Sequence, residues 1–315
     1  MIRLHRIDHV RLRVADLDEA VPRWCEQFGL VVRSREDGLA RLACDDEPYC
    51  LELSTLGEGV PGIEHAGYEL HRDCSLGDAR AHLEELGVDV ADHDGGILVH
   101  DPDGNGVHLL PARSRTEREC WVQHARPAGG RVAGAPRKLG HVNFLTGRMQ
   151  EQVAFYRDAL GMKISDWLGE AGCWFHINSD HHVMALVDLG YAHPHHLAFE
   201  YVDFGHKIVA LDHLARHGRW LGWGPTRHGI AGNLASYVRI TEEELFVELF
   251  CDMERLDADH EPRVYPDDRY SSNTWGPLPP RSYFRFDAAA IASERDSLET
   301  LGVPLAPLVT EEVAP

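Results

Sequence analysis

Two histidines and a glutamate in the second half of the chain have the types and settings of metal ligands: His141 in GHVNF, His196 in HHLAF and Glu248 in FVELF. Each lies midway along a strand-like run, where an ionisable side chain is costly unless something engages it. Two imidazoles and one carboxylate form a facial set that leaves three positions open on six-coordinate iron(II), whereas a closed four-ligand zinc site leaves none. Such openings let one cation hold an organic substrate and dioxygen side by side. A further stretch, GWGPTRHGI at 222–230, puts Trp223, Arg227 and His228 among three glycines and a proline, more side-chain chemistry than a turn requires.

Positioning these groups falls to a duplicated scaffold. Residues 7–32 align without a gap on residues 139–164, matching His9 to His141, Val10 to Val142, Val21 to Val153, Trp24 to Tyr156 and Gly29 to Gly161. EHAGYEL at 64–70 meets HHLAFEY at 195–201 at nearly the same offset, so two homologous halves are expected. The opening segment alternates as a strand, with His141, Asn143 and Leu145 facing one way and Val142 and Phe144 the other. An amphipathic helix follows, with Val153, Tyr156 and Leu160 on one stripe and Gly161 as its left-handed C-cap. CWFHINS, VMALVDL, SYVRI and LFVELF read as further strands, and a sheet of such units curls readily into an open barrel whose inward residues converge. The expected organisation is a first domain over 1–115, a linker over 116–137 containing RPAGGRVAGAP, and a metal-binding domain over 138–252. A tail over 253–315 has no counterpart in the repeat and is read as a lid or an oligomer contact.

Composition narrows the partners. Thirty-one Lys and Arg against 51 Asp and Glu give a formal net charge of −20, which repels phosphate backbones and anionic lipid, so neither nucleic acid nor membrane is an expected partner. The 315 residues are 43% hydrophobic and 26% charged, an ordinary globular balance with room for two domains. The opening MIRLHRIDHVRLRV alternates charged and apolar residues, unlike a signal peptide, and a cytoplasmic location is expected. Seven scattered cysteines, with no C-x-x-C pair, read as buried free thiols rather than disulfides or a thiolate zinc site.

From GHVNF through VELF, and over roughly the first 250 residues, the sequence resembles the type I extradiol catechol dioxygenases of the vicinal oxygen chelate superfamily, in particular the catechol 2,3-dioxygenases. The resemblance implies an α+β fold of two tandem βαβββ-repeat modules, each domain a pair of modules forming an open barrel. It implies iron(II) on His141, His196 and Glu248; manganese(II) is the other metal this N/O set admits. The implied reaction inserts both atoms of dioxygen into a catechol-type diol and gives a ring-opened semialdehyde, and a homo-oligomer is the expected assembly. GPTRHG matches the family's loop over the open face of the metal, with His228 facing the pocket. Tyr237, nine residues on, falls where these enzymes place a tyrosine beside the catecholate. His181, fifteen residues before His196, falls on their acid/base histidine, with His182 beside it as a competitor. Asn143 matches a pocket residue of some members, and Arg227 and Trp174 join it as substrate-binding candidates. Phe175, Trp223 and Trp275, like Trp174, either wall an aromatic pocket or pack in the core. Glutamates in VRITEEELFVELF replace the family's Asp-Pro-Ser-Gly-Asn turn, and the match of VELF favours Glu248 over Glu244 as the third ligand.

By the repeat, His9, His65 and His108 fill the three ligand slots of the first half, which lacks counterparts of His181, His228 and Tyr237. A second metal there stays open, although the family normally uses only its second site. His206, His213 and His217 on GHKIVALDHLARHG read as a solvated helix face, because no third ligand lies near the i, i+4 pair. Two alternative functions stand beside the dioxygenase: a metal-dependent isomerase or lyase of the same superfamily, which uses four ligands, and a metal-free binding protein for small molecules such as drugs, which has no use for three.

Overall fold

The computed structural model describes residues 2–44, 48–113 and 134–284. Residues 116–133 of the expected linker, with Cys120, and residues 285–315 of the tail lie outside the described residues.

Each half consists of two consecutive βαβββ units. The first unit runs β1 (Leu4–Val14), α1 (Leu17–Phe28), β2 (Val31–Glu36), β3 (Leu39–Ala43) and β4 (Leu51–Thr55). Its neighbour runs β5 (Gly62–Leu70), α2 (Leu76–Glu85), β6 (Ala91–His93), β7 (Gly96–His100) and β8 (Gly106–Leu110). The second half repeats the plan with β9 (Lys138–Thr146), α3 (Met149–Ala154), β10 (Lys163–Leu168), β11 (Gly172–His176) and β12 (Met184–Asp188). It closes with β13 (His193–Glu200), α4 (Phe204–Arg216), β14 (Leu221–Arg227), β15 (Leu234–Ile240) and β16 (Leu245–Cys251). Among the described residues, no helix is long and apolar enough to cross a membrane.

Local chemistry sets the helix ends. Asp16 caps α1 by accepting from the backbone of Asp18 and Glu19, Ser75 and Asp78 form a reciprocal capping box on α2, and Asp203 caps α4. The helix expected through Leu160 differs in one respect: after Ala154 it widens into a π turn over Phe155–Ala159. From that turn the Tyr156 hydroxyl donates to Asp101 of the other half at 3.0 Å. Gly161 ends the helix at a φ of 71°, and a Cβ there would collide with the carbonyl of Ile2. His213 on α4 contacts the carbonyl of Glu26 at 2.6 Å, so part of the face expected to be solvated is instead an interface between the halves.

The first sheet has the order β2-β3-β4-β1-β5-β8-β7-β6, and the second β14-β15-β16-β13-β9-β12-β11-β10, with β17 (Arg263–Tyr265) of the tail added to its edge. Register puts one row of residues across the second sheet: Tyr237 opposite Glu248, Glu248 opposite Ala198, and Ala198 opposite His141. The first sheet carries the matching row His108, Gly67 and His9. His196 and His65 each precede the middle residue of their row by two, on the same face of the strand. One cavity takes lining residues from all eight strands β9 to β16, so the second sheet wraps around it as an open barrel.

Candidate functional site

The row brings three donors together inside that cavity. Nε2 of His141 lies 3.0 Å, and Nε2 of His196 3.2 Å, from Oε2 of Glu248; the two imidazole nitrogens are 3.3 Å apart. All three side chains are buried. Glu244 sits at φ 52° in the turn between β15 and β16, exposed and away from this cluster, because the added glutamates lengthen the turn rather than the strand.

Hydrogen bonds behind the donors fix their state. Asn233 donates to Oε1 of Glu248 at 2.9 Å, leaving Oε2 to the cluster. His195 contacts the carbonyl of Tyr283 through Nε2 at 2.8 Å and Nδ1 of His196 through its own Nδ1 at 2.7 Å. A carbonyl only accepts, so neutral His195 carries its proton on Nε2 and accepts from Nδ1–H of His196, whose Nε2 lone pair then faces the cluster. Burial lowers His196 to about 4 against the pull of Glu248. Burial works to raise Glu248, but the charge and hydrogen bonds of His141 and His196 outweigh it and hold the carboxyl well below its usual range. A neutral His196 and an ionised Glu248, the forms that bind a metal, are thus the stable ones. Nδ1 of His141 is buried with no hydrogen-bond partner among the described residues. Converging lone pairs on a carboxylate oxygen, oriented from behind, fit a divalent cation with N/O preference.

Around the cluster the site differs from the sequence reading at two positions. His181 does not line the cavity; His182 does, with its ring 4.2 Å from that of His141, centroid to centroid. Only one of the pair lines the pocket, and spacing alone did not show which. His181 lies behind, its Nε2 2.8 Å from Asp166 and its Nδ1 3.1 Å from Nδ1 of His182. Asp166 is lowered to about 2: burial opposes this, but hydrogen bonds from His181 and Arg263 prevail. Its carboxylate therefore accepts from Nε2–H of His181, whose bare Nδ1 accepts from Nδ1–H of His182, and His182, lowered well below its usual range by burial, presents an unprotonated Nε2 to the cavity. Arg227 is the second departure. Its guanidinium turns outward to the carbonyl of Gly232 and to Asp252, pinning the loop it was expected to serve from within.

The remaining candidates share the cavity. Tyr237 stacks on Trp223 at 5.2 Å, and its hydroxyl lies 2.8 Å from Nε2 of His228. Nδ1 of His228 donates to the carbonyl of Ser272 at 2.8 Å, so neutral His228 accepts from Tyr237, and the tyrosine holds the mobile proton. Asn143 and Trp174 line the wall beside His141, whereas Phe175 is core and Trp275 lies outside at 48% exposure. Sequence reasoning missed His195, Asn233 and Tyr283. The first was legible as the partner in a His-His doublet; Tyr283 had no signal, since it lies beyond the repeat.

The tail completes the enclosure. Arg263 in β17 pairs with Asp166 and Glu254, and Ser271, Ser272, Pro279, Tyr283 and Phe284 all line the cavity.

Residues 6–109 and 138–239 both match the model of the glyoxalase/bleomycin resistance protein/dioxygenase superfamily, a pair of matches that covers most of the chain and follows the structural duplication. The chain belongs to this superfamily. Within it, metapyrocatechase 2 of Cupriavidus necator is 29% identical over 306 residues, covering 90% of this chain and 92% of that protein. Among superfamily structures, homoprotocatechuate 2,3-dioxygenase from Arthrobacter globiformis superposes with a TM-score of 0.76 at 20% identity, covering 90% of this chain and 91% of that one. The Mn(II)-bound glyoxalase from Novosphingobium aromaticivorans gives 0.75 at 24% identity, with 90% and 94% covered. These two structures speak to the shared fold, two domains of paired βαβββ modules.

Proposed function

We propose that this protein is an extradiol ring-cleaving dioxygenase that uses iron(II), held by His141, His196 and Glu248, to insert both atoms of dioxygen into a catechol. The observation that carries the reading is the gathering of this facial set, His182 and Tyr237 around one cavity. The name of the metapyrocatechase relative, which spans nearly the whole chain, supports it. The bound metal supplies a site where diol and dioxygen meet and exchange electrons. Everything else falls to the chain. His182, with its unprotonated Nε2, takes a proton from the diol and returns it as the ring opens; Asp166 and His181 hold it in that tautomer. Tyr237 redirects its hydroxyl proton from His228 to negative charge forming on the substrate oxygens. Tyr283, Phe284 and Trp223 exclude water from the space between.

The outer part of the pocket bears on the substrate. Leu145 and Val187 lie one step further along β9 and β12 than Asn143 and Ala185, and Leu168, Pro279 and Phe284 continue this apolar wall. No lysine or arginine occurs among the described lining residues. A catechol with a neutral, apolar substituent suits this wall, while a carboxylated one leaves its charge unpaired. The test is aerobic incubation of iron-reconstituted protein with both kinds. Yellow semialdehyde should form at least tenfold faster per unit of kcat/KM from alkyl catechols than from dihydroxybenzoates; equal rates would refute the substrate assignment, and no ring opening with any catechol the function.

A further inference from the structure

The first half repeats the ligand geometry with a different donor set. His9 on β1 and His108 on β8 flank Gly67 on β5, as His141 and Glu248 flank Ala198, and His65 stands where His196 stands. Nε2 of His9 lies 3.1 Å from Nε2 of His65, and one ring nitrogen from each of the three histidines falls within 4.8 Å of the other two. All three are buried, at 0%, 0% and 2% exposure for His9, His65 and His108, which leaves water little chance to satisfy them.

The surroundings are built for these rings. Nδ1 of His9 donates to Asp8 at 2.9 Å, so its Nε2 lone pair points inward, the carboxylate-histidine arrangement that orients metal ligands. Nδ1 of His65 and Nδ1 of His108 have no hydrogen-bond partner among the described residues. Glycine makes the room: a Cβ at Gly67 would collide with the His9 ring, and one at Gly96 would come within 2.6 Å of Nε2 of His108. Three buried imidazoles, two of them with an unmet nitrogen, are a poor apolar core, since each unsatisfied group costs stability.

In front of this cluster the space that holds the pocket of the second half is closed. Arg11, Glu52 and Arg41 occupy the register positions of Asn143, Ala185 and Trp174. Glu52 pairs with both arginines, at 2.8 and 2.7 Å, and Asp94 bridges them from outside at 3.0 Å. No diol can enter there.

We propose that His9, His65 and His108 form a second metal site, for a zinc-class divalent cation, which ties β1, β5 and β8 together and takes no part in catalysis. Three imidazoles without a carboxylate favour the later first-row ions over iron(II) and manganese(II), and a tetrahedral ion needs only one further ligand, a water or Glu52, whose Oε2 lies 3.5 Å from Nε2 of His9. The site depends on the first half alone, so its failure leaves the dioxygenase reading intact.

The test uses the full chain with the other centre removed, as His141→Asn with Glu248→Gln, stripped of metal and re-equilibrated with zinc or cobalt(II). The expected result is about one zinc retained per chain after gel filtration, intense visible bands of tetrahedral cobalt(II), a rise in melting temperature on adding zinc, and loss of all three when His65→Gln is added. A folded parent, judged by circular dichroism, that retains no zinc and shows no cobalt bands overturns the proposal. So does retention unchanged by both His65→Gln and His108→Gln. Should these last variants not fold, the parent's metal content and cobalt spectrum still decide.

Discussion

The roles proposed for His181 and His182 can be measured separately. His182→Gln removes the group proposed to meet the substrate and should lower kcat by about 10²- to 10⁴-fold with metal content unchanged. His181→Gln leaves that group in place but unfixes its tautomer, so a loss of about 10- to 100-fold is expected, again with full metal. A larger effect at His181 than at His182 would reverse the assignment. Metal content should fall in Glu248→Gln and stay unchanged in Glu244→Gln. Behind the pair, Asp166 makes the fold sensitive to acid. Its folded value is depressed, so the stability it contributes is fully present above its ordinary 3.8 and is lost as pH falls toward about 2. The urea midpoint of the native protein should therefore drop through this window more steeply than that of Asp166→Asn. Both His-His doublets were visible in the sequence as chemistry; the strand pattern of HHLAF picked out His196, which joins the cluster, whereas at 181–182 spacing alone did not show which member reaches the cavity.

At the scale of elements, the strand, helix and barrel plan was legible because alternation, caps and the repeat all pointed to it. Two features were not. The π turn at Phe155–Ala159 depends on Tyr156 reaching Asp101, a contact across the halves that no local pattern encodes. The tail shows no hydrophobic period, yet its carbonyls at Ser272 and Tyr283 set the tautomers of His228 and His195. Loosening it should therefore act on the site rather than on the core. Arg263→Ala frees the tail's edge strand from Asp166 and Glu254; it should raise KM several-fold and speed proteolysis within 253–284, while the cooperative unfolding of the barrel shifts little. Unaltered KM and cleavage would show that the tail is held by other contacts.

Across the whole molecule the two halves form one unit. Arg23 of α1 crosses to Glu243 while holding Glu19, Arg219 reaches Gln27, and Thr146 donates to Asp103 on the opposite side. Burial pushes Glu243 up even with Arg23 beside it, so Arg23→Met leaves an unpaired buried acid and should cost about 3–5 kcal/mol of unfolding free energy. Adding Glu243→Gln should restore much of that loss, since the penalty lies in the stranded charge. This frame leaves the open barrel of the second half free to hold reactants. There, one cation on His141, His196 and Glu248 is proposed to bring a diol and dioxygen together. The direct measurement is mass spectrometry of the product formed from catechol by iron-reconstituted protein under isotopically labelled dioxygen. Both labelled atoms should enter one ring-opened product, cleaved beside the diol rather than within it, after allowing for exchange of the aldehyde oxygen with water. Cleavage between the two hydroxyls, or a product without label, would contradict the account.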